Sequence, residues 1–376
     1  MKPPIYLDYN ATTPIAPEVV KAMQPFLDTY FGNPSSSHEY GIISKQAVNR
    51  ARKQVANLLG TKPANIIFTS GGTEANNHAI KGIALNNHYS GNHIITSQIE
   101  HPAIIEVCKY LQIHHDFTIT YLPVNHAGII NPADVEDAIT PKTRMITIMH
   151  ANNEIGSIQP IADIGKIALK HKIIFHTDAA QSLGKIPVNV EEMKVDLLSI
   201  AGHKLYGPKG IGALYVRDGI SLEKFMHGGG QENGQRAGTE NILEIVGLGT
   251  AAESAAKGLE ENSLHMKKMR DLLQQQLLKL FPSAKVNGSL ELRLPNTLNI
   301  SIPALDYDKM LEYFVYVAAS AGSACHSDSA EISPILKALK ADDELARRTL
   351  RFSTGRFTTR IEIENALKIL NDIIGE

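Results

Sequence analysis

The chain has 376 residues, 43% of them hydrophobic, and 37 basic against 39 acidic side chains give a formal net charge of -2. This balance, without a polybasic block, argues against nucleic acid or an anionic membrane as a partner. The opening MKPPIYLDYN has prolines where a secretory signal would have an apolar core, and no apolar run approaches spanning length. A soluble, cytoplasmic protein is expected.

In chain order, a loop at 10–14 precedes helical patterns at 17–27 and 41–59, which flank a polar loop at 31–38. A strand at 66–69 then runs straight into Ser70-Gly71-Gly72-Thr73-Glu74 and a further helical pattern. Glycines at a helix N-terminus let unpaired backbone N–H groups converge on an anion, with Thr73 adding a hydroxyl. An ordinary helix cap explains the same stretch equally well.

Strand patterns recur at 93–96, 118–122, 145–149, 173–176, 197–201 and 213–216, with helical patterns at 102–112 and 161–171 between them. Such alternation predicts an α/β fold with a mostly parallel sheet and helices on both faces. Ligands of such sheets collect at the carboxyl ends of the strands. The polar residues following those ends are Gly72 and Thr73, Glu100 and His101, Asn152 to Glu154, Asp178 and Gln181, and His203 and Lys204.

Lys204 stands at the centre of AGHKLYGPKGIG, where a buried strand delivers it into a glycine-punctuated turn. Most lysines are solvated charges, because unpaired burial of an ammonium is costly. The anion-binding turn and Asp178 give this one a chemical alternative. A lysine can form a Schiff base with an aldehyde cofactor, a carboxylate keeps a pyridine nitrogen protonated, and backbone N–H groups hold a phosphate. Those requirements are the ones of pyridoxal phosphate, beside which His101 would stack or move protons.

Of the two cysteines, too few for a disulfide framework, Cys108 falls in an apolar helical pattern and reads as a small core residue. Cys325 lies in SAGSACHSDS, which offers no apolar face to bury it, so a reactive nucleophile and an incidental surface thiol both remain open. Between them the chain carries a glycine-rich loop at 228–239, helical sequence at 241–280, a strand at 297–302 and a helix at 306–317. Thr359 and Glu362 then form a capping box ahead of a final helix. The histidines lack metal-ligand spacing and the cysteines are too distant to complete a zinc set, so no metal is expected.

The chain resembles the cysteine desulfurases of the class V aminotransferase family almost throughout. The motifs that carry the likeness run in family order: YLDYNATTP, GNPSSSH, TSGGTEANN, EHPA, HANNEIG, HTDAAQSLGK, GHKLYGPKGIG, GGGQENGQRAGTEN, GSACHS and RFSTGRFTT. The resemblance implies a pyridoxal phosphate fold type I, with a seven-stranded sheet in a large domain at 15–255. It also implies a smaller α+β domain formed by 1–14 and 256–376, carrying Cys325 and Arg356. It makes Lys204 the Schiff-base lysine, Asp178 the partner of the pyridine nitrogen, Gln181 a ligand of the phenolic oxygen and His101 the stacking acid-base residue. Gly72, Thr73, Ala201, Gly202 and His203 would surround the phosphate, joined by Thr239 from the other subunit of a homodimer. Asn153, also beside the cofactor, and Arg356 would clamp the substrate carboxylate.

The implied reaction converts L-cysteine to L-alanine. Cys325 takes the sulfur as a persulfide and passes it to an acceptor protein, for iron-sulfur clusters or other thio-cofactors. Three positions depart from the family pattern: Asn10 replaces alanine, His326 replaces Thr or Ser, and Ala201 replaces a phosphate-binding serine. A selenocysteine lyase, an ordinary class V aminotransferase and a cofactor-free thiol relay or scaffold protein are the alternatives.

Overall fold

The computed structural model describes residues 3–324 and 331–375. Cys325 and His326 lie outside the described residues. Seven strands form the main sheet in the spatial order Ile66–Thr69, Gly212–Val216, Leu197–Ala201, Ile174–Asp178, Thr143–Thr147, His93–Ser97, Thr118–Leu122. Gly212–Val216 runs antiparallel to both neighbours, and the other pairs are parallel.

Side chains alternate across the sheet as the period of a strand requires. Phe68, Ile95, Ile146, Phe175 and Leu198 enter one core with Val55 and Leu59 of the helix Glu39–Leu59. Ile67, Ile94, Met145, Leu197 and Leu214 enter the opposite core, where Ala75, Ala79 and Ile83 of the helix Gly72–Ala84 cover them. Those three side chains recur every fourth residue, on one face of that helix. Helices therefore cover both faces.

A separate core gathers Leu298, Ile300, Leu350 and Phe352 with Met269, Leu273 and Leu277 and with Ile363, Leu367 and Leu370. Its four-stranded antiparallel sheet has the order Ser320–Ala321, Thr349–Ser353, Thr297–Ser301, Lys285–Val286. The 39-residue helix Ile242–Leu280 serves both cores, so the expected boundary at 255/256 falls inside one continuous element. The N-terminal segment ties the cores together. Leu7 enters the second core, Asp8 bridges to Ser353, and Asn10 then meets Gln181 and Lys204 beyond the carboxyl ends of two central strands of the main sheet.

Two local departures from sequence expectation have clear causes. Pro25 divides the expected 17–27 helix into Pro17–Met23 and Pro25–Asp28, because a proline cannot donate within a helix. The strand expected at 145–149 is Thr143–Thr147, because the N–H of Met149 leaves the ladder to donate to the Glu100 carboxylate at 2.9 Å. The capping box is present, with Thr359 N donating to Glu362 Oε2 at 2.7 Å and Glu362 N to Thr359 Oγ1 at 3.2 Å.

Candidate active site

The carboxyl ends of the parallel strands open into a cavity of about 390 Å³. Gly72, Thr73, His101, Asn153, Asp178, Gln181, Ala201, His203 and Lys204 all line it, so five separate stretches of sequence meet as expected. Asn10, Asn76 and Arg351 line it as well.

The wall formed by Gly71 to Glu74 depends on backbone freedom. Gly71 has φ 154° and ψ -179°, a conformation essentially confined to glycine, and it turns the strand into the helix Gly72–Ala84. Glu74 fixes the turn by accepting from Ser70 N at 2.8 Å while pairing with Arg236 at 2.9 Å. The first-turn N–H groups are thereby presented to the cavity, where an anion is favoured. Gly72 approaches Ala201 closely: a Cβ at position 72 would lie 3.2 Å from that of Ala201.

Asp178 ends the strand Ile174–Asp178, with only 7% of its surface exposed. Asn76 Nδ2 donates to its Oδ2 at 2.7 Å and Ala180 N to its Oδ1 at 2.9 Å. Neither donor is a cation. A buried carboxylate with only neutral donors is suited to a cationic partner inside the cavity. The Oδ1 atom of Asn76 is also buried there without a hydrogen-bond partner.

Lys204 closes the short turn Gly202–Lys204 that follows Leu197–Ala201. Its Nζ donates to the carbonyl oxygens of Asn10 at 2.5 Å and Ala11 at 2.7 Å. Burial lowers its pKa to about 8, with Arg351 acting in the same direction and Asp8 and Asp178 opposing. An amine so poised is available as nucleophile or base near neutral pH. His203 is lowered to about 4, chiefly by burial and secondarily by Lys204, and its Nδ1 hydrogen-bonds with Thr12 Oγ1 at 3.1 Å.

His101 caps the helix Pro102–His114, its Nδ1 accepting from Ala103 N at 3.1 Å. The neutral ring therefore carries its proton on Nε2. Burial lowers the pKa of His101, Asp178 opposes that shift, and Lys204 adds to it. Behind it, Glu100 accepts from Ser97 Oγ at 2.6 Å and from Met149 N, joining two strand ends. Burial raises its pKa to about 8.

Two site expectations, Arg356 and Gly202, need correction. Arg356 does not line the cavity: its guanidinium pairs with Glu18 at 2.7 Å, donates to Ser254 Oγ at 3.2 Å and sits 4.6 Å from the Tyr206 ring centroid. Arg351 lines the cavity instead, with Nη2 2.7 Å from Asp8 Oδ1 and 2.6 Å from Ser320 Oγ, while its buried Nε has no partner among the described residues. Gly202 cannot offer its N–H to a phosphate, because that group donates to Ile211 O at 3.0 Å. Thr239 is exposed in a second cleft of about 240 Å³, beside Ser70 and Gly210, and does not line the cavity of its own chain.

The sequence reading also missed Asn76 and the reach of Asn10. Asn10 is 1% exposed, and its carbonyl and side chain meet Gln181, Lys185, Lys204, Asn296 and Thr297. Strand alternation could have found Arg351. In Thr349-Leu350-Arg351-Phe352-Ser353, Leu350 and Phe352 point into the core, which leaves the arginine on the polar face.

The cavity meets the demands of pyridoxal phosphate: an anion-binding helix end for the phosphate, Asp178 for a protonated ring nitrogen and an amine of lowered pKa for the aldehyde. The aminotransferase class-V family profile matches residues 5–366. A cysteine desulfurase IscS from Dictyoglomus turgidum is 46% identical over 376 residues, covering 100% of this chain and 95% of that protein. Human cysteine desulfurase is 46% identical over 364 residues, covering 96% of this chain and 79% of its own. Among solved structures, a NifS-like protein superposes with TM-score 0.93 at 35% identity, covering 99% and 100% of the two chains. SspA, solved in complex with cysteine, superposes at 0.82 with 39% identity, covering 94% and 99%. With the fold, the cavity and these relatives in agreement, the chain belongs to the class V aminotransferase family and, within it, to the pyridoxal phosphate-dependent cysteine desulfurases.

Proposed function

We propose that this enzyme converts L-cysteine to L-alanine, transfers the sulfur to Cys325 as a persulfide, and does so as a cytoplasmic homodimer that hands the sulfur to an acceptor protein for iron-sulfur cluster or other thio-cofactor synthesis. The observation that carries the reading is the meeting of Lys204, Asp178 and Arg351 in one cavity at the strand ends. Pyridoxal phosphate, when bound, supplies an aldehyde that condenses with amino groups and a ring that accepts electrons from the substrate's Cα.

The chain's own residues do the rest. The amides of Gly72 and Thr73, with His203, would hold the phosphate, and Asp178, steadied by Asn76, would keep the ring nitrogen protonated. Gln181, which lines the cavity, would serve the phenolic oxygen. Arg351 binds the substrate carboxylate through a guanidinium whose orientation Asp8 and Ser320 fix, and Asn153, whose carbonyl accepts from Arg351 Nη1 at 3.3 Å, borders the same site. Lys204, as the neutral amine, removes the Cα proton. His101 exchanges a proton through Nε2.

Cys325 thiolate then attacks the substrate sulfur. The new S–S bond forms as the C–S bond breaks, and the electron pair of the broken bond remains on carbon, which gains a proton to give alanine. The small residues of SAGSACHSDS suit a sulfur that must visit first the substrate and then an acceptor.

Two features support the remaining parts. Thr239 is exposed in a cleft outside its own cavity, as a residue serving a partner subunit would be. Persulfide chemistry at a free thiol suits a reducing compartment such as the cytoplasm. Incubation of the purified protein with cysteine, with alanine quantified and the persulfide mapped by mass spectrometry, tests the reading. Stoichiometric alanine with added sulfur on Cys325 supports it, whereas alanine without that persulfide refutes the transfer step.

A further inference from the structure

Lys185 is buried, at 4% exposure, in the turn that follows the Asp178 strand. None of the catalytic roles above uses it. Its Nζ donates to Gln181 Oε1 at 2.9 Å and to Asn10 Oδ1 at 3.0 Å. The charges that bear on it, Lys204 and Arg351, are cations, and together with burial they lower its pKa well below the ordinary value. Burying an amine beside two cations is unfavourable unless its hydrogen bonds are needed.

Those bonds have a directional consequence. A glutamine amide has a donor end and an acceptor end, and the network alone decides which faces where. Lys185 holds Oε1, so Nε2 turns the other way and donates to Asn10 O at 3.0 Å. The same carbonyl receives Lys204 Nζ at 2.5 Å. Asn10 is itself locked, since its Oδ1 also accepts from Asn296 Nδ2 at 2.9 Å and its Nδ2 donates to Thr297 Oγ1 at 2.8 Å. The amine thus holds both Gln181, one of the donors to the Asn10 carbonyl, and the side chain of Asn10 itself.

We propose that Lys185 is a positioning residue, which fixes the Gln181 amide with its N–H toward the cavity and, through Asn10, holds the acceptor that seats Lys204. The inference rests on the reading above for the place of the cofactor beside Gln181. Lys185 acts on that cofactor only through Gln181 and Asn10.

The test is a double-substitution cycle on the holoenzyme, reading the pH at which the visible absorbance of the bound cofactor changes. Lys185→Met keeps the side-chain stem and removes the donors. It is expected to move that midpoint in the same direction as Gln181→Ala, and to move it less in the Gln181→Ala background than in the parent, because only the Asn10 contact then remains. An unmoved midpoint in Lys185→Met, or shifts that add in the double variant, would overturn the proposal even if the melting temperature fell.

Gln181→Glu in the apoprotein keeps the question decidable should Lys185→Met not fold. It keeps an acceptor for the Lys185 amine while losing the donation to Asn10 O, so a smaller fall in melting temperature than in Gln181→Leu, which keeps neither contact, is expected near pH 7, and a fall as large as that of Gln181→Leu would overturn the proposal. This arm needs no cofactor. A parent protein that develops no chromophore with pyridoxal phosphate would count against the enzyme reading and leave the Lys185 contact to be judged by it.

Discussion

Arg351 and Asp8 form an ion pair of 2.7 Å at the cavity wall, joining the strand Thr349–Ser353 to the N-terminal segment. The contact fixes the guanidinium at the cavity wall, where Nη1 makes a long 3.3 Å donation to Asn153 O and can turn to a carboxylate. A hydrogen bond to a charged group contributes roughly 1.5–3 kcal/mol, so Arg351→Gln is expected to raise KM for cysteine about 10- to 100-fold. Arg356→Ala, which removes contacts to Glu18 and Ser254 outside the cavity, should lower the melting temperature and leave KM within about 3-fold. Steady-state kinetics on the two variants decide between the arginines. A reversed pattern would restore Arg356 as the clamp.

The confusion of these two residues shows what was legible in the sequence. Strand order along the chain, the glycine turn, Asp178 and Lys204 are local or periodic features, and each could be read in isolation. Arg351 and Arg356 share the short motif RFSTGR, and motif identity cannot separate them. Only the alternation of Leu350 and Phe352 into the core decides which guanidinium reaches the site. Asn10 and Lys185 were harder still, because their roles come from pairing across a large sequence separation, which leaves no local pattern. Gly202 lies in a family motif, but its N–H is taken up by Ile211 O, a pairing that the motif does not reveal.

The lowered pKa of Lys204 makes capture of the cofactor pH-dependent. Only the neutral amine attacks an aldehyde, and a folded-state pKa of about 8 makes that form substantial well below the ordinary lysine range. The rate at which apoenzyme binds pyridoxal phosphate should therefore rise with pH through a midpoint near 8 and level off above it. Arg351 is one cause of the depression, so Arg351→Gln should move the midpoint upward. Stopped-flow absorbance at fixed ionic strength measures both, and a midpoint above about 10 in the parent would contradict the assigned environment.

In the proposed placement of the phosphate, Ala201 supplies no hydrogen bond where a serine would. It lies beside Gly72 and offers a methyl group where a hydroxyl would reach the same space. Ala201→Ser is expected to slow cofactor loss on dialysis by about 10-fold, corresponding to one added hydrogen bond to a charged group of roughly 1.5 kcal/mol. The alternative is a hydroxyl that turns to a nearby backbone group, in which case retention stays at the parental rate and the cradle is already complete. Residual absorbance after timed dialysis separates the two.

The last prediction concerns the division of labour between the cavity and the cysteine loop. In the proposed mechanism Lys204, Asp178 and Arg351 serve the cofactor and the amino acid, and none of them is a thiol that could accept its sulfur. Cys325 is the remaining candidate, because burial among apolar side chains excludes the only other cysteine, Cys108, and pushes its pKa to about 12. A thiol at that value is almost wholly protonated near pH 7, and the thiolate is the nucleophile. Cys325→Ala should therefore keep the cofactor's colour and show the spectral change on adding cysteine, yet form no protein persulfide and lose at least about 100-fold in alanine production, as loss of a nucleophile implies. Cys108→Ala should retain parental turnover at somewhat reduced thermal stability, since it removes only a buried sulfur. Alanine release by Cys325→Ala at the parental rate would mean that the C–S bond breaks without a protein thiol, and the transfer step would have to be assigned to a free thiol in solution.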